Sequence, residues 1–227
     1  MAAPNVTRVT LAARDGFELA AYRADPDRAP RGGVVVLHEA SGVNPHVRDV
    51  ADRFAAEGHA VVAPALFDRI EREVELGYDA RSFARGIELV RRLDWFRVML
   101  DLEAAVRSVS EAGRVGVVGY CFGGTVAWLA AARVSGIACA VSYYGSKIVD
   151  LMHANAPRVP MMLHVGRSDT TLPLPRVYEL AALYPAVTIH EYNAGHGFNC
   201  DRRADHDATA AALAFARTGT FLRAHVG

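Results

Sequence analysis

The chain has 227 residues, and its 25 basic and 25 acidic side chains cancel, so its formal net charge is zero when histidine is neutral. This balance excludes the strongly basic surface that binding to nucleic acid or to an anionic membrane requires. The N-terminus has no basic stretch followed by an apolar one, and no later segment is long and apolar enough to span a membrane. We therefore expect a cytoplasmic protein, a monomer or a homodimer, that acts on a small molecule.

The predicted elements alternate between strands and helices after a short antiparallel start. Two strands are predicted near the N-terminus, at 7–11 and 18–22. Near-continuous runs of Val, Ile and Leu predict six further strands buried on both faces, at 34–37, 60–63, 115–118, 137–143, 160–165 and 187–192. Apolar residues at helical spacing predict helices at 47–57, 83–91, 97–110, 125–134, 175–183 and 205–221. The alternation predicts an α/β fold, with one domain over residues 1–227 and a mostly parallel, doubly wound sheet that has helices on both faces.

The first buried strand leads into the sequence Leu-His-Glu-Ala-Ser-Gly-Val-Asn, which places Glu39 directly after it. Ligands of open α/β sheets bind beyond the carboxyl ends of the strands. A loop glutamate is ordinarily a solvated surface residue, but a carboxylate at this position is expected to face residues at the ends of other strands. The backbone N–H groups of Ala40 and Phe122 are candidate donors to an oxyanion.

A glycine-flanked cysteine follows the strand at 115–118, in the sequence Gly-Val-Val-Gly-Tyr-Cys-Phe-Gly-Gly. A sharp bend from a strand into a helix presents a nucleophile, and Gly119 and Gly123 provide the room that the crowded backbone needs. The N-terminus of the helix that follows favours a thiolate at Cys121. The alternative is a buried structural cysteine in a tight connection, because free cysteine is among the most buried residue types.

Two further candidates lie in loops that follow the last two predicted strands. Asp169, in Gly-Arg-Ser-Asp-Thr-Thr, is a candidate acid, although a loop aspartate often caps a helix instead. His196 stands between two glycines, which favours a projecting functional imidazole over a core histidine. Other histidines, such as His59, His164 and His190, lie within or beside strands and are interpreted as structural. The order nucleophile, acid, histidine is the order that α/β-hydrolases use.

Cysteine usage gives no sign of a disulfide or of a metal centre. The three cysteines, at positions 121, 139 and 200, are odd in number and widely spaced, and the chain has no Cys-X-X-Cys pair. We expect no structural disulfide, no metal and no other cofactor.

Four motifs resemble those of the dienelactone hydrolase family of α/β-hydrolases: Glu-X-X-Gly-Val-Asn at Glu39, Gly-Tyr-Cys-Phe-Gly-Gly at Cys121, the loop of Asp169, and Gly-His-Gly-Phe at His196. They span most of the chain in the family's order and are together far more specific than any one of them. The resemblance implies a single-domain α/β-hydrolase fold, a carboxymethylenebutenolidase-like activity and a triad of Cys121, His196 and Asp169. It also implies that Glu39 lies beside the resting thiol.

Family members that act on the lactone of the catechol and chlorocatechol pathway hold its carboxylate with two arginines. The resemblance implies Arg81 or Arg85 for the first of these. The second has no match, because residues 199–201 read Asn-Cys-Asp, and Arg202 and Arg203 come later. Gly197 also stands where those members have a hydroxyl residue.

Aromatic side chains are the remaining candidates for substrate contact. We expect Tyr78 and Phe198 to bind substrate. The long connection between 67 and 95 is expected to help cover the site. For Tyr78, Phe83 and Trp95, packing is the simpler interpretation, because aromatic side chains bury large apolar areas wherever they lie.

We expect His196, oriented by Asp169, to activate Cys121 for attack on a lactone or ester carbonyl, with a thioester intermediate. A thiol leaves more readily than an ordinary alkoxide, so attack on a plain alkyl ester tends to revert. Enol lactones and activated aryl esters are therefore the preferred substrates. Two alternatives stay open: a broad carboxylesterase or thioesterase, and a non-catalytic protein that uses Cys121 as an oxidisable sensor thiol.

Overall fold

The computed structural model describes residues 3–227 and contains a mixed sheet of eight strands. In chain order the strands are β1 (Asn5–Ala12), β2 (Glu18–Asp25), β3 (Gly33–Leu37), β4 (Ala60–Pro64), β5 (Val115–Tyr120), β6 (Ile137–Tyr143), β7 (Met161–Gly166) and β8 (Thr188–Tyr192). Their spatial order is β1-β2-β4-β3-β5-β6-β7-β8. The first two pairs in that order are antiparallel and the remaining five are parallel. This arrangement confirms the predicted antiparallel start and the mostly parallel sheet.

Helices fill the connections between the strands. In residues 3–227 they are α1 (Pro45–Ala56), α2 (Ala80–Arg92), α3 (Trp95–Val109), α4 (Phe122–Arg133), α5 (Ile148–Leu151), α6 (Leu174–Leu183) and α7 (Ala208–His225). Six of them correspond to predicted helices. The exception, α5, is a single turn, and four residues are too few to show a helical period.

The sheet separates two apolar layers. Side chains alternate along a buried strand, so Val35 and Leu37 of β3 pack with α3 and α4 on one face, whereas Val34 and Val36 pack with α1 and α7 on the other. Helices therefore cover both faces, as the sequence predicts, and the single-domain α/β fold is confirmed.

The parallel strands bring four loops to one edge of the sheet. The loops after β3, β5, β7 and β8 carry Glu39, Cys121, Asp169 and His196, respectively. Since β3 neighbours β5 and β7 neighbours β8, residues far apart in sequence lie at adjacent strand ends. Within residues 3–227, no helix combines the length and the apolar character needed to cross a bilayer.

Candidate active site

Cys121 lies at the bend between β5 and α4, with a φ of 53° and a ψ of −112°. A positive φ is costly for a residue with a side chain, so the surrounding structure must hold this conformation. It does so through a close crossing, because a Cβ atom on Gly119 would overlap the backbone of Gly123, and one on Gly123 would overlap the end of β3. The Cys121 N–H also donates to the Tyr143 carbonyl at 3.0 Å. The two glycines are therefore required at these positions, as the sequence predicts.

The three predicted triad residues form a continuous chain of contacts. The Cys121 Sγ atom lies 3.2 Å from His196 Nε2, and His196 Nδ1 lies 2.8 Å from Asp169 Oδ2. Asp169 is almost fully buried, whereas the His196 side chain retains 14% of its exposure. A nucleophile, a base and an orienting acid within hydrogen-bond reach make an arrangement that can generate and use a thiolate.

The electrostatics of the triad favour a protonated His196 beside an ionised Asp169. Burial lowers the pKa of His196, but its hydrogen bonds to Asp169 and to Cys121 outweigh that effect and raise the pKa to about 10. Burial raises the pKa of Asp169, but the His196 contact and hydrogen bonds from Thr171 lower it to a greater extent. Asp169 is thus held ionised beside the imidazole.

Thr171 is a fourth member of this hydrogen-bond network that the sequence analysis does not identify. Its backbone N–H and its hydroxyl both donate to Asp169 Oδ1 at 2.8 Å, and the hydroxyl oxygen lies 3.0 Å from His196 Nδ1. The Leu172 N–H donates to the same carboxylate oxygen at 3.2 Å. Asp169 therefore combines the helix-capping type of contact with a contact to the histidine.

Glu39 lies in the same cavity as Cys121, and its side chain is 2% exposed. Neither carboxylate oxygen has a hydrogen-bond partner in the part of the chain that the structure describes. The cavity has a volume of about 310 Å³. Its lining residues come from the loop after β3, the start of α2, the nucleophile bend and the loop before α7: Glu39, Ala40, Ser41, Gly77, Tyr78, Ala80, Ser82, Phe83, Cys121, Arg202, Arg203, Ala204 and Asp205.

Two backbone N–H groups near the nucleophile are available for an oxyanion. Ala40 lines the cavity and Phe122 is the first residue of α4. Neither N–H donates a hydrogen bond within residues 3–227, whereas the next donor along α4, the Gly123 N–H, is already bonded to the His38 carbonyl at 3.1 Å. These two donors match the pair that the sequence analysis names.

The residues predicted to contact substrate divide into two groups. Tyr78 lines the cavity, and its hydroxyl accepts a hydrogen bond from Asn44 Nδ2 at 3.1 Å. Arg81 and Arg85 do not line it, because their positions on α2 turn them outward, and Arg85 pairs with acidic residues of its own surface. Phe198 is fully buried and packs on Tyr144, so it supports the histidine loop from within the core.

Arg203 brings a positive charge into the cavity. The sequence alone does not assign it this position. Its side chain is 17% exposed, and it forms an ion pair with Asp205 that is long, at 3.4 Å. A Cβ atom on Gly197 would lie 2.6 Å from Arg203 Nε, so the guanidinium occupies the space that a larger residue at position 197 would need. Burial lowers the pKa of Arg203, but the acidic groups of Glu39 and Cys121 outweigh burial and raise it.

One group of side chains in residues 3–227 has the composition of a metal site. Ligand atoms of His46, Cys200 and Asp201 all lie within 4.8 Å of one another. His46 Nδ1 lies 3.0 Å from Asp201 Oδ1, a hydrogen bond that accounts for this pair without an ion. All three cysteines, including Cys200, are free.

Comparison with known proteins places this chain in a family. The model of the dienelactone hydrolase family matches residues 19–226. Enzymes of Pseudomonas putida and Pseudomonas knackmussii, both named carboxymethylenebutenolidase, are 31% identical to this chain over 230 residues, which cover 94% of each sequence. A crystal structure from Klebsiella pneumoniae, provisionally assigned as a dienelactone hydrolase, is 26% identical, with a TM-score of 0.82 over 96% of this chain and 99% of that one.

A more distant structure shows the same fold. Dienelactone hydrolase from Anabaena variabilis superposes over the whole of both chains with a TM-score of 0.71 at 19% identity. The family match covers all four loops of the site, and the two Pseudomonas enzymes match over nearly their full length. The chain therefore belongs to the dienelactone hydrolase family and is a hydrolase of carboxylic esters or lactones.

Proposed function

We propose that this protein hydrolyses enol lactones or activated esters through a Cys121, His196, Asp169 triad and a thioester intermediate. The observation that carries the proposal is the unbroken contact chain from the Cys121 sulfur, which lines a cavity, through His196 to Asp169. The family membership supports the ester or lactone class, and the geometry supports sulfur as the nucleophile.

The reaction has two halves. His196 Nε2 holds the proton that Cys121 has given up, the thiolate sulfur bonds to the carbonyl carbon, and the carbonyl oxygen becomes an oxyanion facing the N–H groups of Ala40 and Phe122. The intermediate collapses as the bond to the leaving oxygen breaks, and His196 gives its proton to that oxygen, which leaves as an enol or alcohol and restores the neutral imidazole. Water then gives its proton to His196 and attacks the thioester, which releases the acid and returns the proton to the sulfur.

In our proposal Arg203 makes the enzyme prefer a substrate that carries a negative charge. The guanidinium lines the cavity with Cys121, and its ion pair with Asp205 is long at 3.4 Å, so it is able to pair with a carboxylate on the substrate. The Pseudomonas relatives named carboxymethylenebutenolidase support a lactone that carries such a group.

Glu39 contributes a carboxylate that is not satisfied in the resting cavity. Its two oxygens are buried without hydrogen-bond partners, next to the nucleophile. A buried carboxylate without a hydrogen-bond partner is unfavourable, and its negative charge favours the protonated form of a neighbouring acidic group. In our proposal its negative charge opposes a thiolate at Cys121, and so counteracts the raised pKa of His196, until a substrate enters the cavity.

A broader esterase is the second candidate. The outward position of Arg81 and Arg85 leaves the α2 side of the cavity without a basic side chain, which favours tolerance of neutral esters. The two candidates share the nucleophile and differ in the benefit that a substrate carboxylate brings.

The decisive experiment uses wild type, Cys121→Ser and Cys121→Ala with dienelactone and with p-nitrophenyl acetate. We expect lactone turnover that is lost in both variants. Equal or better turnover of the aryl ester would favour the broad esterase. Activity on neither substrate, together with reversible oxidation of Cys121 by peroxide, would replace catalysis with the sensor function.

A further inference from the structure

His38 is a fully buried residue that follows directly after β3 and is not part of the triad. Its ring makes two polar contacts, both with backbone. His38 Nδ1 lies 2.6 Å from the Glu39 carbonyl oxygen, and the Leu66 N–H donates to His38 Nε2 at 3.2 Å. A backbone N–H can only donate, so Nε2 accepts, and the ring hydrogen sits on Nδ1 and is donated to the Glu39 carbonyl.

The ring is therefore neutral, with a single tautomer. Protonation of Nε2 would set a donor against the Leu66 N–H. Burial lowers the pKa of His38 to about 4, although the Glu39 carbonyl acts in the opposite direction, so the neutral form persists at physiological pH.

The carbonyl that His38 holds belongs to the same peptide unit as a candidate oxyanion donor. The Glu39 C=O and the Ala40 N–H lie in one planar trans peptide and point in opposite directions. Fixing the direction of the carbonyl therefore fixes the direction of the Ala40 N–H. The Gly42 N–H also donates to the Glu39 carbonyl, but at 3.4 Å, so the His38 contact at 2.6 Å is the shorter of the two; the Ala40 N–H itself donates no hydrogen bond within residues 3–227.

His38 also contacts Phe122, the residue that carries the second donor. Its own carbonyl accepts the Gly123 N–H at 3.1 Å, and its ring lies against the Phe122 ring with a centroid separation of 5.8 Å. Phe67 closes the other side of the His38 ring at 4.8 Å. One residue thus contacts the peptide that carries the Ala40 N–H, and also the ring and the following peptide of Phe122.

We propose that His38 is a positioning residue that aligns the Ala40 and Phe122 N–H groups into the oxyanion hole, with the hydrogen bond from Nδ1 to the Glu39 carbonyl as the decisive contact. The inference rests on the proposed function, because it assigns a residue to the same reaction. It makes the oxyanion hole depend on a side chain that never meets the substrate.

The test separates the hydrogen bond from the packing of the ring. His38→Phe keeps an aromatic ring between Phe67 and Phe122 but removes the donor to Glu39. His38→Asn loses the ring but places an amide N–H where Nδ1 was. Both variants remove the acceptor of the Leu66 N–H, so that loss is common to the pair.

Two reactions of Cys121 give the readout. Acylation by p-nitrophenyl acetate passes through an oxyanion, whereas alkylation by iodoacetamide does not. We expect His38→Phe to acylate about 10- to 100-fold more slowly, in kcat rather than in KM, because loss of an oxyanion-hole donor has effects of this order or larger. We expect alkylation to stay within about twofold of wild type, and His38→Asn to recover most of the acylation rate.

Three outcomes would overturn the inference: wild-type acylation in His38→Phe, an equal loss of alkylation and acylation, or a lower acylation rate in His38→Asn than in His38→Phe. If His38→Phe does not fold, His38→Gln replaces it, since its amide reaches the Leu66 side and should acylate more slowly than His38→Asn. Failure of the proposed function is distinguishable, because wild type would then show no Cys121-dependent acylation at all.

Discussion

At the scale of single residues, Gly197 has no side chain and therefore leaves room for the guanidinium of Arg203 in the site. The guanidinium lies against Gly197 and reaches the cavity that holds Cys121. An arginine facing a substrate carboxylate makes charge-assisted hydrogen bonds, and their loss is costly in a partly buried site. The position of the Arg203 guanidinium therefore depends on the absence of a side chain at position 197.

Arg203→Met should raise KM for dienelactone at least about tenfold, because one charge-assisted contact is removed. Turnover of p-nitrophenyl acetate, which has no carboxylate, should change by less than about threefold. Steady-state kinetics on both substrates measures the difference. Arg202→Met is the matched variant, since Arg202 is half-exposed and already paired with Asp49 at 3.1 Å, and it should have the smaller effect. An equal effect of the two substitutions on the lactone would contradict the assignment.

Thr171 tunes the acid of the triad. Its hydroxyl lowers the pKa of Asp169, after the larger effects of burial, which raises it, and of His196, which lowers it. Thr171→Val should raise that pKa, so the acid limb of the pH profile of kcat/KM should move to higher pH. The loss at neutral pH should be about 1 kcal/mol, or about fivefold. The exposed neighbour provides a control, Thr170→Val, which should leave the profile where it is.

The residues that could be predicted from the sequence share a local signal. Cys121 and His196 are each set between glycines, and the structure places them 3.2 Å apart. Arg203 and His38 carry no such signal. The position of Arg203 depends on how the loop before α7 folds back over Gly197, and His38 reads as one more residue at the end of a buried strand, so only the three-dimensional contacts identify them.

At the scale of secondary-structure elements, α2 meets the candidate oxyanion hole through one glycine. A Cβ atom on Gly86 would overlap the carbonyl group of Ala40, so α2 packs directly on the backbone that presents the Ala40 N–H. The start of the same helix lines the cavity. The position of α2 and the position of the donor are therefore linked.

Gly86→Ala should lower kcat for p-nitrophenyl acetate by about tenfold or more, because a displaced oxyanion donor stabilises the transition state less. Gly219→Ala in α7 is the matched control, since its new Cβ would meet only the flexible end of Arg223 at 3.3 Å. That control should raise the free energy of unfolding by about 0.5–1 kcal/mol, as alanine is the better helix former. Kinetics and urea denaturation of both variants measure these effects; an unchanged kcat in Gly86→Ala would show that α2 can shift without moving Ala40.

Strand positions follow closely from the sequence, whereas helix ends do not. Apolar runs are long enough to mark β3 to β8, but the periodic pattern misses the first turn of several helices. Capping residues set those ends: Asn44, Asp79 and Asp94 accept N–H groups from the first turns of α1, α2 and α3. Each of these helices begins two or three residues before its predicted start. The prediction used the apolar periodicity, which needs several apolar residues, whereas the start of a helix is marked by a single polar capping side chain.

At the scale of the whole molecule, burial of neutral histidines couples stability to pH. Burial lowers the pKa of His59 to about 4 and that of His164 well below its ordinary value, with nearby cationic groups adding to both effects. His164 is satisfied as a neutral ring by Tyr192 and Thr218, at 2.8 and 2.9 Å. Together with His38, these rings sit in the core without a charge, whereas the unfolded chain protonates them near pH 6.5.

The sign of the effect follows from proton uptake. Folded pKa values below the unfolded value mean that the full stability is present above about pH 6.5 and is lost as the pH falls toward the folded pKa values, since the unfolded chain then binds more protons. Each such histidine removes about 1.4 kcal/mol per pH unit in this window. His196 does not oppose the loss, because its pKa is raised in the folded protein, and its contribution is fully present below pH 6.5.

The free energy of unfolding should therefore decline steeply between pH 6.5 and about 4.5, above the range in which most carboxylates titrate. Urea denaturation at pH 7.5, 6.5, 5.5 and 4.5 measures the slope. His59→Gln, which replaces a buried ring whose Nδ1 has no partner in residues 3–227, should reduce the slope by the contribution of one proton. Exchange of the exposed His153 for Gln should leave the slope nearly unchanged, because its contact with Glu179 at 3.2 Å is a surface ion pair and such pairs contribute little to stability. A flat profile down to pH 4.5 would mean that the core accepts charged histidines, which the neutral hydrogen-bond pattern around His38 and His164 argues against.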